Sequence, residues 1–329
     1  MKNIRNIIVV SAALLFSGAA IAVSDIRAEA AEAPANNGYL TILWGRSNWS
    51  VGSHPNCTLV IGAQTLEQNA QDLKARGLRG VGGVVTDRVS GNGEPRQCIS
   101  NQTVQTSWQD LDNLRKNYGW QFISQSKSYA DLTTLNSTQL YNETAGTIIT
   151  MKGRGHTESW GAFSPPDGAT NPSIQGLVAK YFAFNRVYGN SGVNTKPVSK
   201  VFPYPMYTFP VTGGRCNDNT LPCYNLSSTT RRTMSPHKLA NVMSAAPDEW
   251  RVIQFYRLVS GAYGSQGKSD AWDCTSTDWR ERWTGAPEVY CRTTFLEALD
   301  MRTNKSVKSV DPQDMAYLWN RFPDIYPFP

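Results

Sequence analysis

Hydrophobic positions in this chain come in short runs separated by amphipathic stretches, and the two kinds alternate. Tyr39–Trp44 is an apolar run with one threonine inside it, of strand composition, and it breaks off at Gly45-Arg46-Ser47. Thr65 to Arg76 reads as a helix: Thr65 suits the cap, Leu66, Ala70 and Leu73 share a face, and Gly77 ends it. Val81 to Thr86 predicts a second strand, with Asp87-Arg88 at its exit. Ser107 to Lys116 predicts a helix that leads into a third strand, Trp120 to Ile123, which turns polar at once in Ser124-Gln125-Ser126-Lys127-Ser128-Tyr129. A third helix over Ser137 to Thr150 precedes a short strand, Trp160 to Phe163, that runs into Ser164-Pro165-Pro166-Asp167-Gly168.

The second half repeats the alternation with longer interruptions. Ile174 to Lys180 predicts a helix, and Tyr181 to Phe184 a strand with Asn185-Arg186 at its end. Asn190 to Met234 is rich in Pro, Gly and Cys and reads as a long irregular section. Ser235-Pro236 caps a helix over His237 to Ser244. Arg251 to Tyr256 predicts the next strand, followed by Arg257, a Trp-rich loop (Gly261 to Cys291), a helix over Thr293 to Met301 and a last strand, Val307 to Val310. Six or seven β/α repeats predict a parallel sheet with helical crossovers that closes into a distorted barrel, and in such barrels the site lies at the carboxyl ends of the strands.

Composition narrows the class. A chain of 329 residues, 40% hydrophobic and 18% charged, is globular. Lys2 and Arg5 followed by the apolar run Ile7 to Ala22 predict a signal peptide over residues 1–30, with 31–38 a linker and 39–329 a single domain. The mature chain is then expected outside the cytoplasm, without a membrane span. Six cysteines agree with export. Fifteen pairings are open to them, and pairing of neighbours is the expectation: Cys57–Cys98, Cys216–Cys223 and Cys274–Cys291. The formal charge of +6 is spread out rather than collected in a basic run, which argues against nucleic acid as a partner and leaves room for an acidic glycan.

Ser126, Lys127 and Ser128, followed by Ala130-Asp131-Leu132, resemble the middle and tail of the second motif of the polysaccharide deacetylases (carbohydrate esterase family 4), usually H-S-x-S-H. Gln125 and Tyr129 stand in place of its two metal-binding histidines. Thr41-Ile42-Leu43-Trp44-Gly45 matches the first motif, T-F-D-D-G, with Leu43 and Trp44 in place of both aspartates. Ser164-Pro165-Pro166-Asp167-Gly168 resembles the third motif without its arginine, and Tyr256 holds the place of the histidine that serves as acid in active members. The resemblance implies a deacetylase-like α/β barrel whose metal and catalytic positions are replaced. No metal and no cofactor are therefore expected.

The strand exits carry a different set. Trp44, Arg46, Arg88, Lys127, Tyr129, Arg186, Tyr188, Tyr256 and Arg257 are the candidate substrate-binding residues: guanidinium groups grip carboxylate, and rings stack on sugar faces. Asp87, His156, Glu158 and Asp167 are the candidate acid–base groups. The expected function is a secreted carbohydrate-active protein that acts on or binds envelope or extracellular polysaccharide without the family's divalent ion. A catalytically inert glycan-binding or scaffold module is the alternative, and a true metal-dependent deacetylase the weaker one.

Overall fold

Tyr39–Trp44 (β1) forms a strand buried at every position, as a parallel strand covered on both faces must be. Its alternation splits two layers. Leu40, Ile42 and Trp44 point to the helices outside, while Tyr39 and Leu43 join the cluster that fills the interior. The computed structural model describes residues 38–45, 49–50, 64–91, 104–188, 192–196, 204–211, 234–264, 271–285, 289–302 and 307–325. The expected signal peptide, linker and first two disulfides, with Arg46, fall outside these residues.

Six further strands complete the barrel among the described residues: β2 (Gly80–Val84), β3 (Gln121–Ser124), β4 (Ala162–Phe163), β5 (Phe184–Tyr188), β6 (Tyr204–Pro210) and β7 (Glu249–Phe255). Each pairs in parallel with its successor, and β7 returns to β1 over the full length from Tyr39↔Trp250 to Trp44↔Phe255. The ring is therefore closed and has no free edge at its core. Its distortion is local. β4 has two residues, and it meets β3 only at Ser124↔Phe163. Two short strands extend the sheet outside the ring: Lys308–Ser309 runs parallel to the start of β1, and Val193–Thr195 antiparallel to the start of β7.

The helices lie around this ring: α1 (Leu66–Lys74), α2 (Trp108–Tyr118), α3 (Ser137–Glu143), α4 (Ala145–Gly153), α5 (Pro172–Tyr181), α6 (Pro236–Met243), α7 (Arg292–Met301) and α8 (Pro312–Leu318). Thr65 and Ser107 cap α1 and α2 with reciprocal capping boxes. Leu73, Leu114, Leu239 and Phe295 bring α1, α2, α6 and α7 onto the outer face of the barrel. Ile174 and Val178 of α5 and Met315 of α8 close the second cluster.

Several expectations change here. The single helix over Ser137 to Thr150 is two helices broken at Thr144, where the backbone leaves helical geometry (φ −106°, ψ −84°). The strand expected over Tyr181 to Phe184 begins at Phe184, because Tyr181 still belongs to α5. The irregular section contains β6, a full barrel strand. The Trp-rich loop holds a three-stranded sheet (Ala262–Tyr263, Trp272–Asp273, Trp283–Thr284) and the Cys274–Cys291 disulfide, which was the expected pairing. Arg282 is buried at this module's base and bonds both carboxylate oxygens of Glu297 in α7 (2.9 and 2.6 Å).

Candidate functional site at the carboxyl mouth of the barrel

The exits of β2, β3 and β4 lie side by side and are laced together by backbone. Thr86 N–H donates to Ser126 O at 3.4 Å and Asp87 N–H to Lys127 O at 2.9 Å. These bonds set Asp87, Arg88, Lys127 and Tyr129 on one rim. The Arg88 guanidinium stands 5.2 Å from the centre of the Tyr129 ring, a cation–π stack that holds ring and charge together. The Tyr129 hydroxyl donates to Asp167 Oδ1 at 2.9 Å, so the third exit is tied to the fourth.

This rim is strained. Among the described residues five non-glycines have positive φ, and three of them lie here: Ser126 (67°), Tyr129 (70°) and Asp167 (50°). Each costs on the order of 1–3 kcal/mol, and such residues collect where a fold must aim side chains at a ligand. A tyrosine held left-handed with its hydroxyl on a carboxylate is a placement that the surrounding structure imposes.

Below the rim the barrel interior is polar. Gln125, Gln254 and Arg186 are buried. Arg186 Nη1 donates to Gln254 Oε1 at 2.6 Å, and Nη2 to the Pro165 carbonyl at 3.4 Å. Gln125 comes so close to β2 that a Cβ on Gly83 would sit 2.8 Å from its Oε1. A Cβ on Gly45 would fall 2.4 Å from Gln254 Nε2 and 3.0 Å from the Tyr256 ring. The two glycines are therefore what lets these amides and Tyr256 pack at the top of β1 and β2. Leu43, in register with Gln254, closes the same level from below. The positions matched to the metal motifs thus converge at one end of the sheet.

They do not fit a divalent ion. Leu43 has no donor atom, Trp44 faces away, Gln125 is an amide packed on Gly83, and the Tyr129 hydroxyl is given to Asp167. Among the described residues no three of His, Cys, Asp and Glu are grouped so as to hold a metal. Zinc sites take imidazole, thiolate and carboxylate, and this donor set supplies none of the three in a group.

Four expected site residues are placed otherwise than at a strand exit. Trp44 does not line the mouth: it is 1% exposed and packs outside the barrel on Trp120, Phe255 and Phe295 at ring distances of 4.9, 5.8 and 6.3 Å. Its parity along β1 with Leu40 and Ile42 turns it outward. His156 is buried on the outside between α2 and β3, edge-on to Phe122 and 3.7 Å from Asp112. Glu158 lies towards the amino ends of the strands. There its charge contributes, after burial and Asp314, to pushing the Asp311 carboxyl up to about 7, against the opposing charge of Arg79. Arg186, expected at an exit, is an interior residue of β5. Tyr188 ends β5 opposite Thr208, and Tyr256 and Arg257 follow β7, both half-buried.

Burial, and next the charge of Arg115, lower the His156 pKa from 6.5 to about 4. The folded chain thus holds a neutral imidazole where the unfolded chain binds a proton near 6.5. The stability this contributes is present above that value and is lost as the pH falls towards 4. The expected result is a His156 ring whose NMR shifts stay flat from about pH 8 to pH 5, while denaturation midpoints decline below about pH 6.5. A titration midpoint above pH 6 would place His156 in contact with solvent after all.

Gln254 and Glu143, which bonds the rim from α3, were not among the expected site residues. Gln254 carried a signal, as an amide inside the apolar run Val252-Ile253-Gln254-Phe255. Glu143 carried none, since a glutamate near the end of a helix is ordinary.

No protein-family model matches the chain, and no curated protein matches it. Among solved structures it is similar to the family 4 carbohydrate esterase domain of a multidomain xylanase from the hindgut metagenome of Trinervitermes trinervoides, at 12% identity and TM-score 0.43, over 88% of this chain and 94% of that one. It is also similar to a family 4 carbohydrate esterase from Streptomyces lividans, at 18% identity and TM-score 0.30, over 47% of this chain and 64% of that one. A polysaccharide deacetylase from Bacillus cereus matches at 10% identity and TM-score 0.36, over 52% and 63%. The chain spans under two thirds of the length of the Streptomyces and Bacillus enzymes. The barrel itself, distorted and closed by seven parallel strands, is read from the strand pairing.

Proposed function

We propose that this chain is an exported, carbohydrate-active protein whose carboxyl-end mouth binds an acidic polysaccharide of the envelope or extracellular matrix without a divalent metal. The observation that carries this reading is the Arg88–Tyr129–Asp167 constellation, held on strained backbone at the exits of β2, β3 and β4. Arg88 and Lys127, a guanidinium and an ammonium carried by exits that share a backbone bond, suit a chain of carboxylated sugars. The Tyr129 ring adds a surface for a sugar, and its hydroxyl oxygen, with its proton on Asp167, keeps acceptor capacity for a sugar hydroxyl. Tyr188, Tyr256 and Arg257 belong to the same proposed mouth by their place at strand exits.

A second reading, metal-free hydrolysis or elimination, is favoured by one observation: two carboxylates, Asp87 and Asp167, stand at the same mouth, one of them on a tyrosine hydroxyl. The two readings differ in product. Purified protein is incubated with polygalacturonate, an acetylated glycan and uncharged dextran, with released acetate and new reducing ends both followed. Binding of polygalacturonate that weakens with salt and is reduced roughly 10- to 150-fold by Tyr129→Phe supports the first reading, the size being that of one hydrogen bond to a charged group. New reducing ends that vanish in Asp167→Asn would establish the second. Acetate release dependent on added zinc would overturn both.

A further inference from the structure

The loop that carries Lys127 and Tyr129 is gripped by a carboxylate from a helix. Glu143, the last residue of α3, is 9% exposed. Its Oε2 accepts from the backbone N–H of Lys127 at 3.0 Å and of Ser128 at 2.8 Å, and its Oε1 accepts from Ser128 Oγ at 2.7 Å. Two successive amides and a hydroxyl closing on one carboxylate form a concave anion nest whose occupant is part of the chain. On the far side of the nest, Ser126 Oγ accepts from the Tyr129 N–H at 3.0 Å. The left-handed residues Ser126 and Tyr129 thus bracket the two amides that Glu143 holds.

The helix break serves the same placement. α3 stops at Glu143 because Thr144 leaves helical geometry, with its Oγ1 bonded back to Leu140 O at 2.7 Å. Thr147 Oγ1 bonds Thr144 O at 2.6 Å and shares a hydrogen bond with Ser124 Oγ, at the end of β3. A chain of contacts therefore runs from the barrel strand to Thr147, Thr144, Glu143, the loop amides, Tyr129 and Asp167. An unbroken helix would carry residue 143 on an axis set by the whole of residues 137–153 rather than by β3.

We propose that Glu143 is the positioning residue of the mouth, setting Lys127 and Tyr129 against Asp167 and the ligand without touching the ligand. This rests on the acidic-glycan reading of the mouth for its consequence in affinity, though not for its consequence in structure. Losing the carboxylate frees two amides and removes the constraint that keeps Tyr129 left-handed.

The test uses the full chain and three variants, Glu143→Ala, Ser128→Ala and Tyr129→Phe, with two readouts. The first is amide hydrogen exchange at Lys127 and Ser128, with Phe122 and Ile123 in β3 as internal controls. In Glu143→Ala, which removes the one oxygen that both loop amides share, exchange at the two amides is expected to rise at least about tenfold while the β3 amides stay unchanged, as for a local opening. The second is affinity for polygalacturonate. Glu143→Ala is expected to weaken it about tenfold, and the double variant Glu143→Ala/Tyr129→Phe to be no weaker than the worse single one, because the two act in one line. Ser128→Ala, which leaves both amide bonds in place, gives a smaller change of the same sign and serves where Glu143→Ala does not fold. Unchanged exchange at Lys127 and Ser128, or additive losses in the double variant, would overturn the proposal. If wild-type protein binds no polygalacturonate, the function proposed above fails, while the exchange data still decide whether Glu143 holds the loop.

Discussion

Arg282→Ala is expected to cost about 2–4 kcal/mol of folding stability, because two backbone carbonyls lose their donor at roughly 1–3 kcal/mol each while Glu297, a third exposed, is left partly solvated. The side chain is 2% exposed and uses its donors fully. Nε donates to Ser276 O at 2.8 Å, Nη1 to Thr294 Oγ1 at 3.0 Å and to Glu297 at 2.9 Å, and Nη2 to Thr277 O at 3.1 Å and to Glu297 at 2.6 Å. One guanidinium thereby ties the loop before the last strand of the small sheet to α7, beside the Cys274–Cys291 bridge. Alanine would leave two backbone carbonyls and a part-buried carboxylate without donors. Lysine keeps the charge and cannot span the same acceptors, so Arg282→Lys is expected to recover little. Urea denaturation of the three proteins checks this, and a loss below about 1 kcal/mol for Arg282→Ala would mean that water replaces the guanidinium at little cost.

Trp44→Ala is expected to cost a similar amount, about 3–5 kcal/mol, as large-to-small changes of buried aromatic residues do. The ring fills the space between β7, α7 and the residue that leads into β3, against Phe255, Phe295 and Trp120. Trp44→Phe keeps most of the packing and is expected to fold and to leave the proposed polygalacturonate affinity unchanged, because the ring faces the helices and not the mouth. The pair of variants separates two views of a position that resembles an aspartate of the deacetylase motif. A lining residue would cost binding and little stability; a core residue costs stability and no binding. Loss of polygalacturonate affinity in a folded Trp44→Phe protein would return Trp44 to the site.

Much of this fold was legible as pattern. β1, β2, β3 and β7 are apolar runs, and Thr65, Ser107, Ser235 and Gly77 marked helix ends where the structure has them. What was hidden had physical reasons. β6 contains Pro205 and ends at Pro210, residues that argue against a strand in sequence, yet it is a full member of the ring. The break at Thr144 depends on a tertiary bond from Ser124 to Thr147, which no local propensity encodes.

The candidate site was legible by position and less so by direction. Strand exits named Asp87, Arg88, Lys127, Tyr129 and Asp167, and the fold brings these to one rim, whose role stands as the proposal above. Direction failed where register decided it. Trp44 shares its face with Ile42, and Arg186 shares the inward face of β5 with Phe184, once α5 is seen to extend to Tyr181. A shift of one residue along a strand exchanges the two faces, so an exit residue cannot be aimed without its neighbours. His156 and Glu158 were grouped by nearness in sequence to a strand, and they precede it rather than follow it.

The mouth is tested most directly by a calorimetric titration of chelator-treated protein with oligogalacturonate, at low and at high salt, before and after zinc is added. Saturable binding that weakens as salt screens the Arg88 and Lys127 charges, and that zinc leaves unaltered, is the predicted result. Binding that appears only when zinc is added, or that ignores salt, would contradict a mouth that holds acidic sugar by arginine, lysine and tyrosine.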